Sequence, residues 1–383
     1  MMTDMPVSST RSIAGAILLD LAVSSLFAWD VFVPVLGREL DVSRASLAVT
    51  FSVGLVGFTA GVLGGGRLAD RVAPRRLAVG TALGAAAGLA CAAVASSLLA
   101  VVLSFGALLG LATGTGYATA VRVAGAVTTR RGLALGLVVS AYAGGTVVVA
   151  PVAAVLLDVV GRAGTLGVLA IGTAATVLVA AMLLPAQAPP RPDPSSRRGP
   201  VYSGTTLRLW LAFGLGSAPG LAAFAHAGAL AGGPHTAALA VALLSAGNFG
   251  GRLVVGPLSD RLSRPVAMHL TAATLVVACV ALALTDSRAV SLAALLVLGT
   301  QYGALSALTP AAAADRFPTD RLGATYGVVF TSWGLAGLSA PLFAGHAANQ
   351  LGWHQVYAVF LVPAAVSWLA VAVPSLGLSS PAR

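Results

Sequence analysis

The sequence has 383 residues, of which 57% are hydrophobic and 9% are charged. A soluble protein carries about 25% charged residues, so this composition excludes a soluble domain and indicates a chain that crosses the membrane repeatedly. The net charge of +10 would favour nucleic acid as a partner of a soluble domain. Here every basic residue is an arginine in a membrane protein, so we expect a lipid bilayer and no nucleic acid.

Twelve apolar runs are long enough to span a bilayer, which takes about 20 residues each. The first six predicted spans are 13–36, 45–66, 77–95, 98–121, 132–157 and 165–185. The second six are 206–231, 236–258, 266–285, 289–312, 322–347 and 354–375. The sequence therefore predicts an N-terminal bundle (1–185), a Pro-, Ser- and Arg-rich cytoplasmic linker (186–205) and a C-terminal bundle (206–383).

Arginines are concentrated in alternate loops. The rich loops contain Arg67, Arg71, Arg75 and Arg76, then Arg130 and Arg131, Arg191, Arg197 and Arg198, Arg261 and Arg264, and Arg316 and Arg321. The opposite loops contain only Arg38, Arg44, Arg162 and Arg288. By the positive-inside rule, both termini are expected in the cytoplasm, in a multi-pass protein of the cell inner (plasma) membrane.

A repeat relates the two halves. "GRLADRVAPRR" at 66–76 resembles "GPLSDRLSRP" at 256–265, and Asp260 lies 260 − 70 = 190 residues after Asp70. The same offset relates further pairs of identical residues, namely Arg71 and Arg261, Arg131 and Arg321, Gly144 and Gly334, and Pro151 and Pro341. One offset held across the chain indicates parallel repeats related by an axis along the membrane normal.

The repeated loop has the residues of a gate. Gly66 allows close helix packing, and Asp70 and Asp260 can each cap a neighbouring helix N-terminus and pair with a nearby arginine. Arg71 and Arg261 belong to the same repeated gating motif. This loop resembles the signature of the major facilitator superfamily. The resemblance implies an all-α membrane protein in which twelve transmembrane helices form two pseudo-symmetric six-helix bundles around a central cavity.

Arg252 lies inside the eighth predicted span, where a charge costs about 2.5–3.5 kcal/mol. At the offset of 190 residues, the position in the first half that is equivalent to Arg252 is Val62, so the charge is not part of the repeated scaffold. A guanidinium matches a carboxylate, and Asn248 lies one helical turn earlier. The alternatives for Arg252 are snorkelling to the cytoplasmic side or an internal partner among Asp20, Asp30 and Asp158.

Residues 26–53, 247–261 and 299–337 resemble the oxalate:formate antiporter and monocarboxylate transporter branch of the superfamily. The resemblance assigns binding of the substrate carboxylate to Arg252. Trp333 occupies the position of a lysine in the oxalate antiporter pattern. One arginine balances one carboxylate, so we expect a monocarboxylate such as lactate, pyruvate or formate, with Trp333 against its carbon chain or in helix packing.

Other side chains are candidates for the site. Tyr117, Tyr142 and Tyr302 can donate hydroxyl hydrogens to a carboxylate, and Trp29 lies in the outer half of the first span. For each of these four residues, packing or an interface position is the alternative. Tyr326 is expected to be structural.

Proton coupling has two candidates, His226 and Asp30, with a structural role as the alternative for each. Asp20 is deeper but is expected on another helix face, because ten residues of helix separate it from Asp30. Asn248 replaces the aspartate expected in proton-coupled monocarboxylate carriers. Symport therefore needs another titratable group, or the protein is an exchanger or uniporter.

No catalytic constellation, nucleotide-binding site or metal cluster is visible, so we expect neither an enzyme nor a cofactor. The sequence predicts a monomeric transporter that carries a small carboxylate anion, with or without a proton, by alternating access. The alternatives are an exporter of drugs or other small solutes with the same fold, and a non-transporting membrane sensor.

Overall fold

The computed structural model describes residues 9–189, 201–232 and 234–372, and this part of the chain is helical, with short turns and no strand. It contains twelve membrane-length helices, six in each half. The first six are α1 (Ser9–Ala22, a 3-10 stretch Val23–Val31, and Val33–Glu39), α2 (Arg44–Ala69), α3 (Pro74–Ala93), α4 (Leu98–Gly125), α5 (131–160) and α6 (162–183). The second six are α7 (Gly204–Leu230), α8 (Pro234–Arg261), α9 (Arg264–Leu284), α10 (Arg288–Arg316), α11 (Leu322–Leu351) and α12 (Trp353–Ala372).

These helices confirm the predicted twelve-helix fold. Counted as continuous helices of the described residues, eleven are long and apolar enough to cross a membrane, because α5 and α6 form one helix of 53 residues. Most of the expected linker, at 190–200, lies outside the described residues.

The α5–α6 connection is shorter than the sequence suggested. Instead of a loop over 158–164, the chain breaks at Gly161 alone, whose φ of 67° is unfavourable for residues with a Cβ. The next residue, Arg162, donates hydrogen bonds to the carbonyls of Ala92 (2.7 Å) and Ala95 (3.1 Å) at the end of α3. Its Nε also contacts the Glu39 carboxylate at the end of α1. These contacts fix the turn against two neighbouring helices.

Serine caps account for several helix starts. Ser43, Ser97 and Ser203 have extended backbone angles, and each side chain accepts a hydrogen bond from the backbone N–H three residues later. Two helices are irregular inside the membrane. α1 becomes 3-10 over Val23–Val31, and α4 is π-helical over Val102–Leu108, a kind of distortion that often marks a functional hinge.

Glycines bring the helices of each half into backbone contact. A Cβ on Gly61 in α2 would lie 2.3 Å from the Leu111 carbonyl oxygen in α4. In the second half, a Cβ on Gly299 in α10 would lie 2.1 Å from the Leu244 carbonyl oxygen in α8. Small residues are the usual means by which membrane helices approach closely. Close glycine contacts therefore join α2 to α4 in the first half and α8 to α10 in the second.

We expect Gly299→Ala to lower the thermal stability of the purified protein, because the added methyl group overlaps backbone that cannot move aside. Overpacking of this kind typically costs about 1–3 kcal/mol. Gly167→Ala is the matched control, since a Cβ there meets no atom within 4 Å and alanine favours the helix by about 0.5–1 kcal/mol. Unfolding temperatures in detergent measure both effects. Equal melting temperatures for the two variants would contradict the packing described.

Candidate functional site between the two halves

The two halves meet most closely at the end of the molecule that carries Arg67, Arg131 and Arg264, which we call the Arg-rich end. A Cβ on Gly66 in α2 would lie 2.2 Å from the Gly323 carbonyl oxygen in α11. This is direct backbone contact between the halves. The related pair of α5 and α8, Gly132 and Gly256, is equally close, because a Cβ on Gly132 would lie 2.3 Å from the Gly256 oxygen.

The halves separate toward the opposite end. Midway along α11, a Cβ on Gly334 would meet the Thr59 side chain at 2.3 Å. One turn further, a Cβ on Gly337 would meet only the tips of Leu55 and Leu221, at 3.9 and 4.0 Å. Because α2 and α11 are in backbone contact at the Arg-rich end and only in side-chain contact midway along α11, the two helices diverge. The molecule is therefore closed at its Arg-rich end.

Asp70 fastens α2 to the opposite half. Its carboxylate accepts hydrogen bonds from the backbone N–H groups of Gly323 (3.0 Å) and Ala324 (2.7 Å) at the start of α11, and from Arg122 Nε (2.8 Å). Burial raises the pKa of the Asp70 carboxyl, and the Ala324 N–H, Arg122 and the Gly323 N–H counteract that shift. The charge that caps α11 thus depends on these donors.

Asp260 makes the equivalent contact from the second half. It accepts hydrogen bonds from the backbone N–H groups of Gly132 (2.8 Å) and Leu133 (2.9 Å) at the start of α5. Arg264 lies 3.4 Å from the same carboxylate. Both carboxylates therefore occupy the positive end of a helix that belongs to the other half.

The arginines of this network are Arg122, which lies against Asp70, and Arg264, which lies against Asp260. Arg71 and Arg261 are exposed, and within the described residues their side chains form no hydrogen bond or ion pair. Arg122 could not be selected from the sequence, because its partner lies 52 residues away.

A further ion pair joins the halves at this end. Arg131 Nη1 in α5 lies 2.8 Å from Asp315 in α10 and also donates to the Ala314 carbonyl at 2.9 Å. Asp315 contacts Arg264 as well, at 2.9 Å. The closed end is therefore held by capped helices and by one charged bridge.

Near the middle of the molecule, Arg252 lies between the halves and is only 7% exposed. It is nine residues from Arg261 at the end of α8, or roughly 14 Å along the helix. Nη1 donates to the Val139 carbonyl of α5 at 2.7 Å, and Nε donates to Asn248 Oδ1 at 3.0 Å. The Tyr302 ring lies 6.0 Å from the guanidinium carbon. Within the described residues, Nη2 has no hydrogen-bond acceptor, so one side of the guanidinium remains available.

Aromatic side chains from both halves surround this position. We call the following set the central aromatic cluster: Phe27, Phe58, Tyr117, Tyr142, Tyr302, Tyr326, Phe330 and Trp333. All except Phe27 are buried. Two hydrogen bonds lie within the cluster. The hydroxyls of Tyr117 and Tyr326 are 3.2 Å apart, and Trp333 Nε1 donates to the Tyr302 hydroxyl at 2.7 Å. The buried Tyr142 hydroxyl has no hydrogen-bond partner within the described ranges.

Four of the predicted site residues, Tyr117, Tyr142, Tyr302 and Trp333, thus lie in this cluster. Asn248 contacts Arg252 directly. Tyr326, expected to be structural, lies in the same cluster, and its hydroxyl shares a hydrogen bond with that of Tyr117.

Asp20 lies close enough to Arg252 to interact with it electrostatically, although it was not among the predicted site residues. It is fully buried, and neither carboxylate oxygen has a hydrogen-bond partner in the part of the chain that the structure describes. The angular separation from Asp30 showed that the two residues point in different directions, not which of them points inward. An acidic residue within an apolar span was the signal that could have identified it.

Trp29, Asp30 and His226 have surroundings other than Arg252 and its hydrogen-bond partners. The Trp29 ring packs 4.9 Å from Phe105, within the first half. Asp30 is exposed. His226 interrupts α7, and its Nε2 lies 3.0 Å from the Pro341 carbonyl in α11. Among the described residues, no group of three His, Cys, Asp or Glu side chains could hold a metal ion.

Comparison with known proteins identifies the class. The sequence model of the Major Facilitator Superfamily matches residues 18–232 and 210–382, so the chain belongs to this superfamily of membrane transporters. It is 24% identical over 349 residues to "Uncharacterized MFS-type transporter YhjX" of Escherichia coli (strain K12), a match that covers 85% of each chain.

Solved structures share the fold. The human organic anion transporter MFSD10 (TETRAN) superposes with a TM-score of 0.71 at 16% identity, over 96% of this chain and 100% of that one. The proton:xylose symporter XylE superposes with a TM-score of 0.74 at 13% identity, over 94% and 95%. At these identities the likeness shows the fold alone. The chain is therefore a multi-pass transporter of this superfamily.

We expect Asp260→Ala to open the Arg-rich end, because the substitution removes the acceptor that caps α5 from the other half. Loss of a helix cap costs about 0.5–2 kcal/mol. The measurement is the distance between spin labels on Arg76→Cys in the first half and Leu262→Cys in the second. The distribution of distances should shift to larger values.

The labels require a background in which Cys91 and Cys279 are replaced by alanine. Asp286→Ala is the control, since this aspartate follows α9 at the opposite end and its side chain is 96% exposed. An unchanged distance distribution in Asp260→Ala would show that the cap does not hold the two halves together.

Proposed function

We propose that this transporter carries small monocarboxylates of the size of lactate, pyruvate or formate by alternating access. The observation that supports this most strongly is Arg252, a buried cation between the two halves whose Nη2 has no acceptor among the described residues. A guanidinium with one free side suits a carboxylate, which accepts directed hydrogen bonds from it.

Charge counting favours one carboxylate over two. The other buried arginine between the helices, Arg122, is already paired with Asp70. Trp333, at the position of the second cation in the oxalate antiporter pattern, donates to Tyr302 and brings an apolar indole instead. A dicarboxylate would therefore leave one negative charge unpaired in a site of low dielectric constant.

The central aromatic cluster fits the remaining needs of such a substrate. The unpartnered Tyr142 hydroxyl can donate to the second carboxylate oxygen, and the rings exclude water around a short carbon chain. The resemblance to the oxalate:formate and monocarboxylate branch agrees with this assignment. Trp29 remains a proposal for the outer wall of the path.

We place the Arg-rich end in the cytoplasm, following the positive-inside rule, with both termini on that side of the cell inner membrane. Closure at this end then corresponds to a carrier shut toward the cytoplasm. The moving parts are the two bundles, 1–185 and 206–383, joined by the linker at 186–205. A monomer contains both halves of the site.

A second candidate is an exporter of drugs or other small solutes. The aromatic cluster beside the buried Asp20 carboxyl favours it, because rings and a carboxylate suit an apolar cation. The two functions make different use of Arg252, because an anionic substrate binds its guanidinium and a cationic substrate does not.

We expect Arg252→Gln to reduce uptake of labelled monocarboxylates into proteoliposomes by at least tenfold. Hydrogen bonds to charged groups contribute about 1.5–3 kcal/mol, and each 1.4 kcal/mol corresponds to about tenfold in affinity. Arg38→Gln, an exposed arginine at the end of α1, is the matched control. If Arg252→Gln transports as well as Arg38→Gln while cationic solutes are exported, the exporter is the correct function.

We expect Trp333→Lys to shift selectivity toward dicarboxylates such as oxalate by about tenfold or more, because a second cation balances the second charge (1.5–3 kcal/mol for a charged hydrogen bond). Trp333→Phe removes the indole N–H without adding charge and should keep the original preference. The ratio of oxalate to lactate uptake is the measurement. An equal ratio in both variants would refute the charge-counting argument.

A further inference from the structure

Asp20 is a buried acid whose role the carboxylate site does not explain. It is 0% exposed, and among the described residues both of its carboxylate oxygens lack a hydrogen-bond donor. An ionised carboxylate in such surroundings has a very large desolvation cost, and in practice such a group is neutralised. The neutral, protonated form of Asp20 is therefore the form that fits the closed arrangement described above.

The groups that face Asp20 come from four other helices. They are Arg252 on α8, Tyr117 on α4, Tyr142 on α5 and Tyr326 on α11, all of which interact with it electrostatically. Arg252 is the one permanent charge among them. An ionised Asp20 would have Arg252 as its counter-ion, and a protonated Asp20 leaves that arginine free.

The two groups also lie at similar depth. Asp20 is eleven residues from Ser9, or roughly 17 Å along α1, compared with roughly 14 Å for Arg252 along α8. Two residues after Asp20, the first α-helical part of α1 ends at Ala22, and the 3-10 stretch Val23–Val31 begins. A helix that changes type beside a buried acid has a place at which its outer part can move relative to that acid.

We propose that Asp20 is the proton-binding site of this carrier, and that one proton on Asp20 crosses the membrane together with one anion on Arg252. The inference rests on the proposed function. A proton from water on one side binds an Asp20 carboxylate oxygen, which releases Arg252 to bind the anion. After the halves reorient, the anion leaves, the proton returns to water on the other side, and Asp20 and Arg252 attract each other again.

The two sequence candidates lack this arrangement. Asp30 is exposed, and His226 contacts a backbone carbonyl within the second half. Neither lies where its charge would compete with an anion for Arg252. They remain the alternative proton sites that the experiments below can reveal.

The first experiment needs no substrate. Infrared difference spectra of the purified protein between low and high pH should contain the C=O stretching band of a protonated carboxylic acid in an apolar environment. Asp70 is also a buried carboxyl, so the test is the component of this band that each variant removes. We expect Asp20→Asn to remove one component and Asp158→Asn, which removes an exposed carboxylate of α5, to remove none. A band that is unchanged in Asp20→Asn overturns the proton site, whatever the protein transports.

The second experiment tests coupling in proteoliposomes. With one proton per anion, a gradient of one pH unit should drive about tenfold accumulation of labelled lactate or pyruvate in the unmodified protein. Asp20→Asn should lose accumulation but keep exchange of internal for external anion, since it imitates the protonated state. Asp20→Glu should keep both, with an altered pH dependence, and shows that the site tolerates substitution.

Two outcomes would overturn the proposal. One is pH-driven accumulation that survives in Asp20→Asn, in which case His226→Ala and Asp30→Asn locate the group. The other is loss of exchange in a folded Asp20→Asn protein, which would make Asp20 part of the anion site or the scaffold. Absence of monocarboxylate transport by the unmodified protein would instead refute the proposed function, and the infrared result would stand independently.

Discussion

The structure depends on how a guanidinium is held between two halves that must move apart. Two nitrogens of Arg252 donate hydrogen bonds, one to the Val139 carbonyl and one to Asn248, and the Tyr302 ring lies beside the guanidinium. These neutral contacts offset only part of the desolvation of a full charge. The positive charge is therefore only partly compensated and can still bind an anion. Because Arg252 belongs to the second half and Val139 to the first, this hydrogen bond forms only when the two halves are in contact.

The scaffold is repeated, whereas the charges at the centre are not. Asp70 and Asp260 occupy the same place in each half and cap helices of the other half. At the offset of 190 residues, Arg252 corresponds to Val62 and Asp20 to Trp210. The repeated caps at Asp70 and Asp260 serve to close the Arg-rich end, which involves both halves equally. The unrepeated charges at the centre serve to bind substrate, which takes one cation and one acid.

Much of the fold could be predicted from the sequence because its signals are local. Apolar runs give the helices, and the offset of 190 gives the duplication, which the structure confirms as two six-helix halves. The one-residue turn at Gly161 could not be predicted, since a loop and a tight glycine break have similar composition. The 3-10 and π-helical stretches depend on packing between helices and leave no regular pattern.

The candidate site was predicted in part, for a related reason. Arg252 was conspicuous as a charge in an apolar run, and its neighbour Asn248 follows from helical spacing alone. Which way Asp20 and Asp30 point depends on the contacts of α1 with α4, α5 and the second half, which one sequence does not supply. Arg122 was missed because its pairing with Asp70 joins two helices far apart in the chain.

The contrast between paired and unpaired buried charges separates structure from transport. Asp70 lies within hydrogen-bond distance of Arg122 and two backbone N–H groups, so its charge is satisfied as long as the Arg-rich end is closed. Among the described residues, Asp20 has no such donors, and Nη2 of Arg252 has no acceptor. Charges that only hold helices together are satisfied within the protein. At the centre, Asp20 and Arg252 are not satisfied in this way. Their proposed partners, a proton and an anion, can arrive from water and depart again.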